Sequence, residues 1–274
     1  MNPLVADQTD AQLARLVEQN WESLEADLAN RFGGVVEDRE GLFRFQTTLH
    51  SGFLNGVIRA SATPDGVPEL VRDMRAWFPA DVPWRWVVGP SSRPENLADL
   101  LADAGVERRW APMPGMALDL AAPRVDPGTP EGGRVTEVET PEDLEAWLSV
   151  RHVNLSLDDR TIAAWRRAHL GSGLGPQSHM RHFVGWLGDR PVAGATLFLN
   201  PAPGGISGIY HVDTLVEARG RGFAKALTVA ALDAAREQGY RWTVLGASTL
   251  GTPVYLRLGF RTVGWFTVLV GGGH

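Results

Sequence analysis

The apolar positions of the chain change between helical and strand spacing, and they do so twice in the same order. In the first half the spacing predicts a helix over 10–29 and a strand region over 42–54 and 56–60. Pro68 then opens a helix whose apolar stripe is Leu70, Val71, Met74, Trp77 and Phe78. A strand over 84–88, a helix over 94–104 stopped by Gly105, and strands around a turn over 106–120 complete that half. In the second half a strand over 134–138 precedes helices over 140–150 and 161–170, and a hairpin over 182–187 and 191–199 turns at Asp189. A strand over 206–216 runs into the most regular helix of the sequence, 222–238, which Gly239 ends. A strand over 242–246, a short helix over 253–258 and a last strand over 262–270 follow. After its opening helices each half reads strands, helix, strand, helix, strand, the pattern of an α/β (α+β) chain made of a duplicated unit.

A length of 274 residues suits two medium cores, because single domains most often hold about 100–150 residues. The break falls at 121–133, where three prolines and three glycines interrupt any regular element. That segment reads as a linker between domains at 1–125 and 134–274.

Composition narrows the chemistry. With 44 % hydrophobic and 21 % charged residues the chain is an ordinary globular one. It has no cysteine, which removes disulfides, zinc–thiolate sites and any acyl-cysteine relay. The net charge of −6 is uneven: residues 1–133 carry 20 acidic and 12 basic side chains, whereas 134–274 carry 12 and 14. A nucleic acid would meet an unfavourable field, while a small phosphorylated ligand suits the second half. The seven histidines include no zinc-binding helix pair, and His274 ends a Gly-Gly-Gly-His tail, so no metal is expected. The first ten residues lack a basic stretch followed by an apolar run, and no run approaches the roughly 18 apolar residues of a membrane span. The expectation is a cytoplasmic protein without membrane partners.

The informative string lies at 210–227, where a strand meets Arg219-Gly220-Arg221-Gly222 and this turn opens the long helix. Glycines let a backbone approach a ligand closely, and the first amides of a helix lack intrahelical acceptors. A pyrophosphate satisfies those amides and meets the positive end of the helix dipole. The alternative without a ligand is a plain strand, turn and helix. A dinucleotide fingerprint needs a third glycine where this chain has Lys225, and an acidic residue after the next strand, which is absent. No Gly-Lys-Ser or Gly-Lys-Thr occurs, so an ATPase phosphate loop is excluded too. Downstream, Ser248 and Thr249 offer hydroxyls, Thr252 can cap a helix at Pro253, and Tyr255 offers a phenol with a usual pKa of about 10. That phenol either protonates a leaving thiolate or only packs its ring.

Arg219-x-x-Gly222-x-Ala224, followed after a helix and a strand by Tyr255-Leu256-Arg257-Leu258-Gly259-Phe260, resembles the two motifs of the GCN5-related N-acetyltransferase (GNAT) superfamily. The resemblance covers roughly 134–270. It implies two GNAT-like domains, each a mixed, mostly antiparallel twisted sheet flanked by helices, with splayed central strands in the second. It also implies acetyl-CoA as the cosubstrate, with no metal. The backbone of Val212, Thr214, Leu215 and Val216 would bind the pantetheine arm; Arg219, Gly220, Arg221, Gly222, Phe223 and Ala224 would cradle the pyrophosphate. Tyr255 would be the general acid, and Ser248 stands where the family often has another small polar residue. His211 and Asp213, on one face of the strand, are the candidates for the base that deprotonates an attacking amine. Residues 154–158 with Trp165 would shape the acceptor side.

The first half shares only the element order and an echo of the second motif. Residues 60–68 lack the Arg-x-x-Gly-x-Ala pattern, and Leu101 stands where the second half has Tyr255. The resemblance thus implies a degenerate first copy. The function expected is direct transfer of an acetyl group from acetyl-CoA to a primary amine of a small molecule or peptide. A non-catalytic acyl-CoA-binding or interaction module is the alternative. The sequence leaves the acceptor, acyl length and oligomeric state open.

Overall fold

The computed structural model describes residues 8–202 and 205–272. Residues 1–7 of the N-terminal stretch considered above and His274 lie outside them. Along the chain come α1 (Asp10–Arg31), β1 (Val35–Arg39), β2 (Leu42–Gln46), β3 (Gly56–Ala60), α2 (Val67–Trp77), β4 (Trp84–Val88), α3 (Leu97–Asp103), β5 (Glu107–Arg108) and β6 (Met113–Asp119). They continue with β7 (Gly133–Glu137), α4 (Pro141–Leu155), α5 (Asp159–Ser172), β8 (Met180–Leu187), β9 (Arg190–Leu199), β10 (Ser207–Thr214), α6 (Phe223–Glu237), β11 (Trp242–Gly246), α7 (Thr252–Arg257) and β12 (Arg261–Gly271).

The contacts divide the chain into two units whose limits differ from the expected 1–125 and 134–274. One comprises residues 8–116 with 262–272, the other Ala117–Arg261. The last strand explains the difference: β12 pairs antiparallel with β4, Thr267 opposite Val88 and Gly271 opposite Trp84. Leu269 accordingly belongs to the core of the first unit, with Val71, Met74, Trp84, Trp86 and Leu101.

In the first unit β1, β2 and β3 form an antiparallel meander, and β4 joins β3 in parallel through only two residue pairs, Gly56–Arg85 and Val57–Trp86. A capping box between Thr9 and Gln12 starts α1, which buries Leu13, Val17, Leu24 and Leu28. The expected strand over 42–54 stops at Gln46. The Asn55 side chain accepts from Thr47 N at 2.7 Å and donates to Leu49 O and Ser51 O, at 2.9 and 2.8 Å, so it holds 47–54 as a loop. The strand β1 lies in a segment for which the spacing predicted no element.

The second unit repeats this plan. Strands β7, β8, β9 and β10 are antiparallel neighbours, and β11 joins β10 in parallel through two pairs only, Ser207–Thr243 and Gly208–Val244. Beyond Gly208 the two strands part, as expected of splayed central strands. The Phe223 ring of α6 lies against β8, where a Cβ on Gly185 would stand 2.7 Å from it, so only glycine fits there. The supposed linker is attached to α6 and its loop: Arg124 forms an ion pair with Asp233 at 2.6 Å, and Glu131 N donates to Arg221 O at 3.0 Å.

Candidate active site

At the end of β10 the chain makes a short 3-10 turn over Val216–Ala218 and then two left-handed glycines, Gly220 at φ 79° and Gly222 at φ 87°. Gly222 caps α6, and the first amide to bond back within the helix is that of Ala226, to Gly222 O at 3.0 Å. The amides of Phe223, Ala224 and Lys225 thus have no acceptor one turn back. No acidic side chain stands in this first turn. Arg219 closes the loop from behind, donating through Nε to Thr214 O at 3.2 Å.

The loop forms one wall of a cavity of about 960 Å³, at the upper end of the range for small-molecule sites. Of the residues expected to bind the cosubstrate, Val212, Thr214, Arg219, Gly220, Gly222, Phe223, Ala224 and Ser248 line it. Leu215 and Val216 do not. Leu215 is buried and its amide is taken by Val192 O at 2.9 Å, while Val216 points outward on the turn, 72 % exposed. Arg221 does not line the cavity either. The spacing missed Val125, Lys225, Leu250 and Val254, which do. Thr214 Oγ1 is buried without a hydrogen-bond partner. Such an orphaned hydroxyl, the free amides and the cationic Arg219 and Lys225 suit a large phosphorylated ligand with amide groups along its length.

Opposite the loop stands Tyr255 of α7, 7 % exposed and in edge contact with Phe260 at 5.8 Å. Burial, and secondarily the Asp213 charge, push its phenol well above its ordinary value, so it stays protonated throughout the neutral range. Of the two base candidates, Asp213 lines the cavity but is engaged on both oxygens: Arg151 Nη1 donates at 2.6 Å and Asn154 Nδ2 at 2.7 Å. Arg151 is itself buried, with its guanidinium carbon 5.3 and 5.1 Å from the rings of Trp147 and Trp165. Burial works against its charge, and Asp213 offsets this. Asn154 thus reaches the cavity as expected, whereas Trp165 is enclosed beneath it.

His211 has a left-handed backbone, φ 53°, inside a register shift of β10 between Tyr210 and Asp213. Its ring turns to Thr196 on β9, with Nδ1 3.3 Å from Thr196 Oγ1. Arg151, Thr196, His182 and His169, which surround these two candidates, carry no local sequence motif. Among the described residues no group of three or more acidic or histidine side chains is placed to hold a metal, and no helix is long and apolar enough to cross a membrane.

Residues 143–260 match the acetyltransferase (GNAT) family model. No curated protein matches the chain in sequence. Among solved structures, the chain is similar to a GCN5-related N-acetyltransferase from Kribbella flavida at 19 % identity, with a TM-score of 0.69 over 94 % of this chain and 96 % of that one. A GCN5-related N-acetyltransferase from Sphaerobacter thermophilus matches at 19 % identity and TM-score 0.59, covering 84 % and 76 %. A tandem GNAT protein from the clavulanic acid biosynthesis pathway matches at 15 % identity and TM-score 0.56, covering 85 % and 78 %. At these identities the structures speak for the fold, which is GNAT-like. The family match falls within the unit that holds the cavity, Ala117–Arg261.

Proposed function

We propose that the chain transfers an acetyl group from acetyl-CoA to a primary amine of a small molecule or peptide by direct attack, and that the unit Ala117–Arg261 does this chemistry. The observation that carries the reading is the left-handed glycine turn at the start of α6, with free amides facing a cavity whose other side bears Tyr255. Acetyl-CoA supplies the activated thioester. The amides of Gly222, Phe223 and Ala224 hold its pyrophosphate, and the backbone released where β10 leaves β11 holds its pantetheine arm. Tyr255, kept protonated by burial, donates its O–H to the sulfur as negative charge develops there. His211 takes a proton from the acceptor ammonium, since only the neutral amine attacks. Asp213, held by Arg151 and Asn154, positions the strand bulge instead of accepting that proton.

The first unit is a degenerate copy of the same fold. In support, β3 and β4 share the parallel two-pair contact of β10 and β11, each time with a helix as the connection. The tandem GNAT protein among the structural relatives supports the same organisation.

Thiol release from acetyl-CoA, followed across a panel of small amines and peptide N-termini, tests the activity. Tyr255→Phe should lower kcat about tenfold or more with little change in the Kd for CoA. Tight binding without turnover on any amine would leave the non-catalytic module as the reading; no binding at the α6 loop would remove both.

A further inference from the structure

His211 is the outer end of a chain of polar contacts that leads from β10 across β9 and β8 to α5. Its Nδ1 meets Thr196 Oγ1 at 3.3 Å, Thr196 Oγ1 meets His182 Nδ1 at 2.9 Å, and His182 Nε2 meets His169 Nδ1 at 3.2 Å. Thr196, His182 and His169 are at most 1 % exposed. Three histidines that share one file with a hydroxyl are more than a polar patch. Thr196 has one proton to place between two ring nitrogens, so it donates to one and accepts from the other. The two facing nitrogens of His182 and His169 likewise share a single proton. When His211 Nδ1–H donates to Thr196, the hydroxyl donates to His182 Nδ1 and His182 Nε2–H donates to His169 Nδ1. The opposite polarity differs by one proton moved along each link.

We infer that His211, Thr196, His182 and His169 form a proton relay that carries the acceptor's proton from the site into the space beneath it. The inference rests on the acetyltransferase reading and assigns the positioning residues of its base. In balance, the ammonium N–H breaks and a bond forms at His211 Nε2. The His211 Nδ1 proton passes to Thr196 Oγ1, the Thr196 proton to His182 Nδ1, and the His182 Nε2 proton to His169 Nδ1. The amine is left neutral and the positive charge rests on His169. That ring has Trp165 and Trp147 at centroid distances of 5.1 and 5.6 Å, whose π-electrons favour a cation. Trp147 also lies 4.3 Å from the His182 ring, where Gly194 leaves room for it. The charged groups facing the cluster are Arg151 from α4 and Asp213 from β10, and their ion pair at 2.6 Å keeps the guanidinium from opposing the imidazolium with a full charge. His211, partly buried and next in sequence to the cavity-lining Val212 and Asp213, is held in a left-handed conformation, a backbone state uncommon for a side chain of this size and found at functional positions.

The test uses the full chain with 15N-labelled histidine. In the wild type the ring nitrogens of His182 and His169 should change in the same pH step as those of His211. Thr196→Val should leave the His211 step and remove the response of the inner pair, and Thr196→Ser should restore it. Inner rings that titrate independently of His211, or identically with and without the Thr196 hydroxyl, would overturn the relay. On an amine that the wild type acetylates, Thr196→Val should lower kcat about tenfold and move the ascending limb of its pH profile upward, with KM for acetyl-CoA unchanged. Thr196→Ser should recover most of that loss. Equal loss in both variants, or an unchanged profile in Thr196→Val, counts against it. A wild type that binds acetyl-CoA but acetylates nothing sinks the activity and leaves the nitrogen titration to decide the relay by itself.

Discussion

The two units share a strand plan and differ at the turn after the last strand of the antiparallel meander, β3 in one and β10 in the other. In Ala117–Arg261 that turn ends at Gly222, left-handed at φ 87°, and its helix begins with free amides and Lys225. In the first unit it ends at Gly66, with the ordinary φ of −83°, after a 3-10 turn over Pro64–Gly66. Pro68 then removes one of the amides at the start of α2, and Glu69 puts a negative charge in the first turn. The helix start of one unit thus offers free amides and a cation, and that of the other offers fewer amides and a carboxylate. On the proposed function, these few residues at one turn decide which unit holds a pyrophosphate.

Both units also bury an arginine with a carboxylate, Arg151 with Asp213 and Arg85 with Glu25. Removing one partner should produce the largest effect: Arg151→Met leaves the largely shielded Asp213 with Asn154 as its remaining partner and should cost about 3 kcal/mol or more in denaturant unfolding, much of it recovered in the double variant with Asp213→Leu. Next comes Glu18 on α1, which has no counterpart beside the α6 loop. Burial pushes its carboxyl up to about 7, against a weaker opposing effect of its hydrogen bonds to Ser91. A carboxyl raised in the folded state binds more protons there than in the unfolded chain, so its contribution is present at low pH and is lost as the pH rises through about 7. Glu18→Gln should shrink the difference in unfolding free energy between pH 5 and pH 8 by about 3 kcal/mol. The smallest effects compare the two turns directly. Gly222→Ala, whose new Cβ meets only Pro130 Cα at 3.9 Å, should weaken CoA binding about tenfold through the backbone cost of its positive φ. Gly66→Ala should leave CoA affinity unchanged and shift stability by no more than about 0.5 kcal/mol. Equal losses in the two variants, read by calorimetry, would erase the distinction drawn between the copies.

The α6 loop was legible in the sequence because everything it needs is local: strand, glycine turn and helix follow one another within 207–237. Tyr255 was legible as the partner of a second local motif. The relay residues were not, and the hairpin β8–β9 gives the physical reason. Counting from the turn, Leu187 faces Arg190 and Trp186 faces Pro191, which would put His182 opposite Ala195. A register shift between Gly185 and Trp186 puts Thr196 there instead, so one extra residue exchanges the two faces of β9. The role of Asp213 was hidden for a similar reason, because Arg151 is 62 positions away and only the fold brings it to 2.6 Å. The destination of β12 lay beyond pattern reading as well: its spacing predicts a strand, and nothing in it says which sheet it joins.

That destination sets an order of events during synthesis. Ala117–Arg261 is one uninterrupted stretch and can close as soon as it has left the ribosome, whereas the sheet of the first unit lacks a strand until 262–271 are made. The half translated first is therefore the half completed last, with the β4 edge open for the time it takes to translate about 180 residues, about ten to several tens of seconds at about 5–20 residues per second. A stop codon a dozen positions early would spare every residue of the cavity and still leave the other unit unfinished.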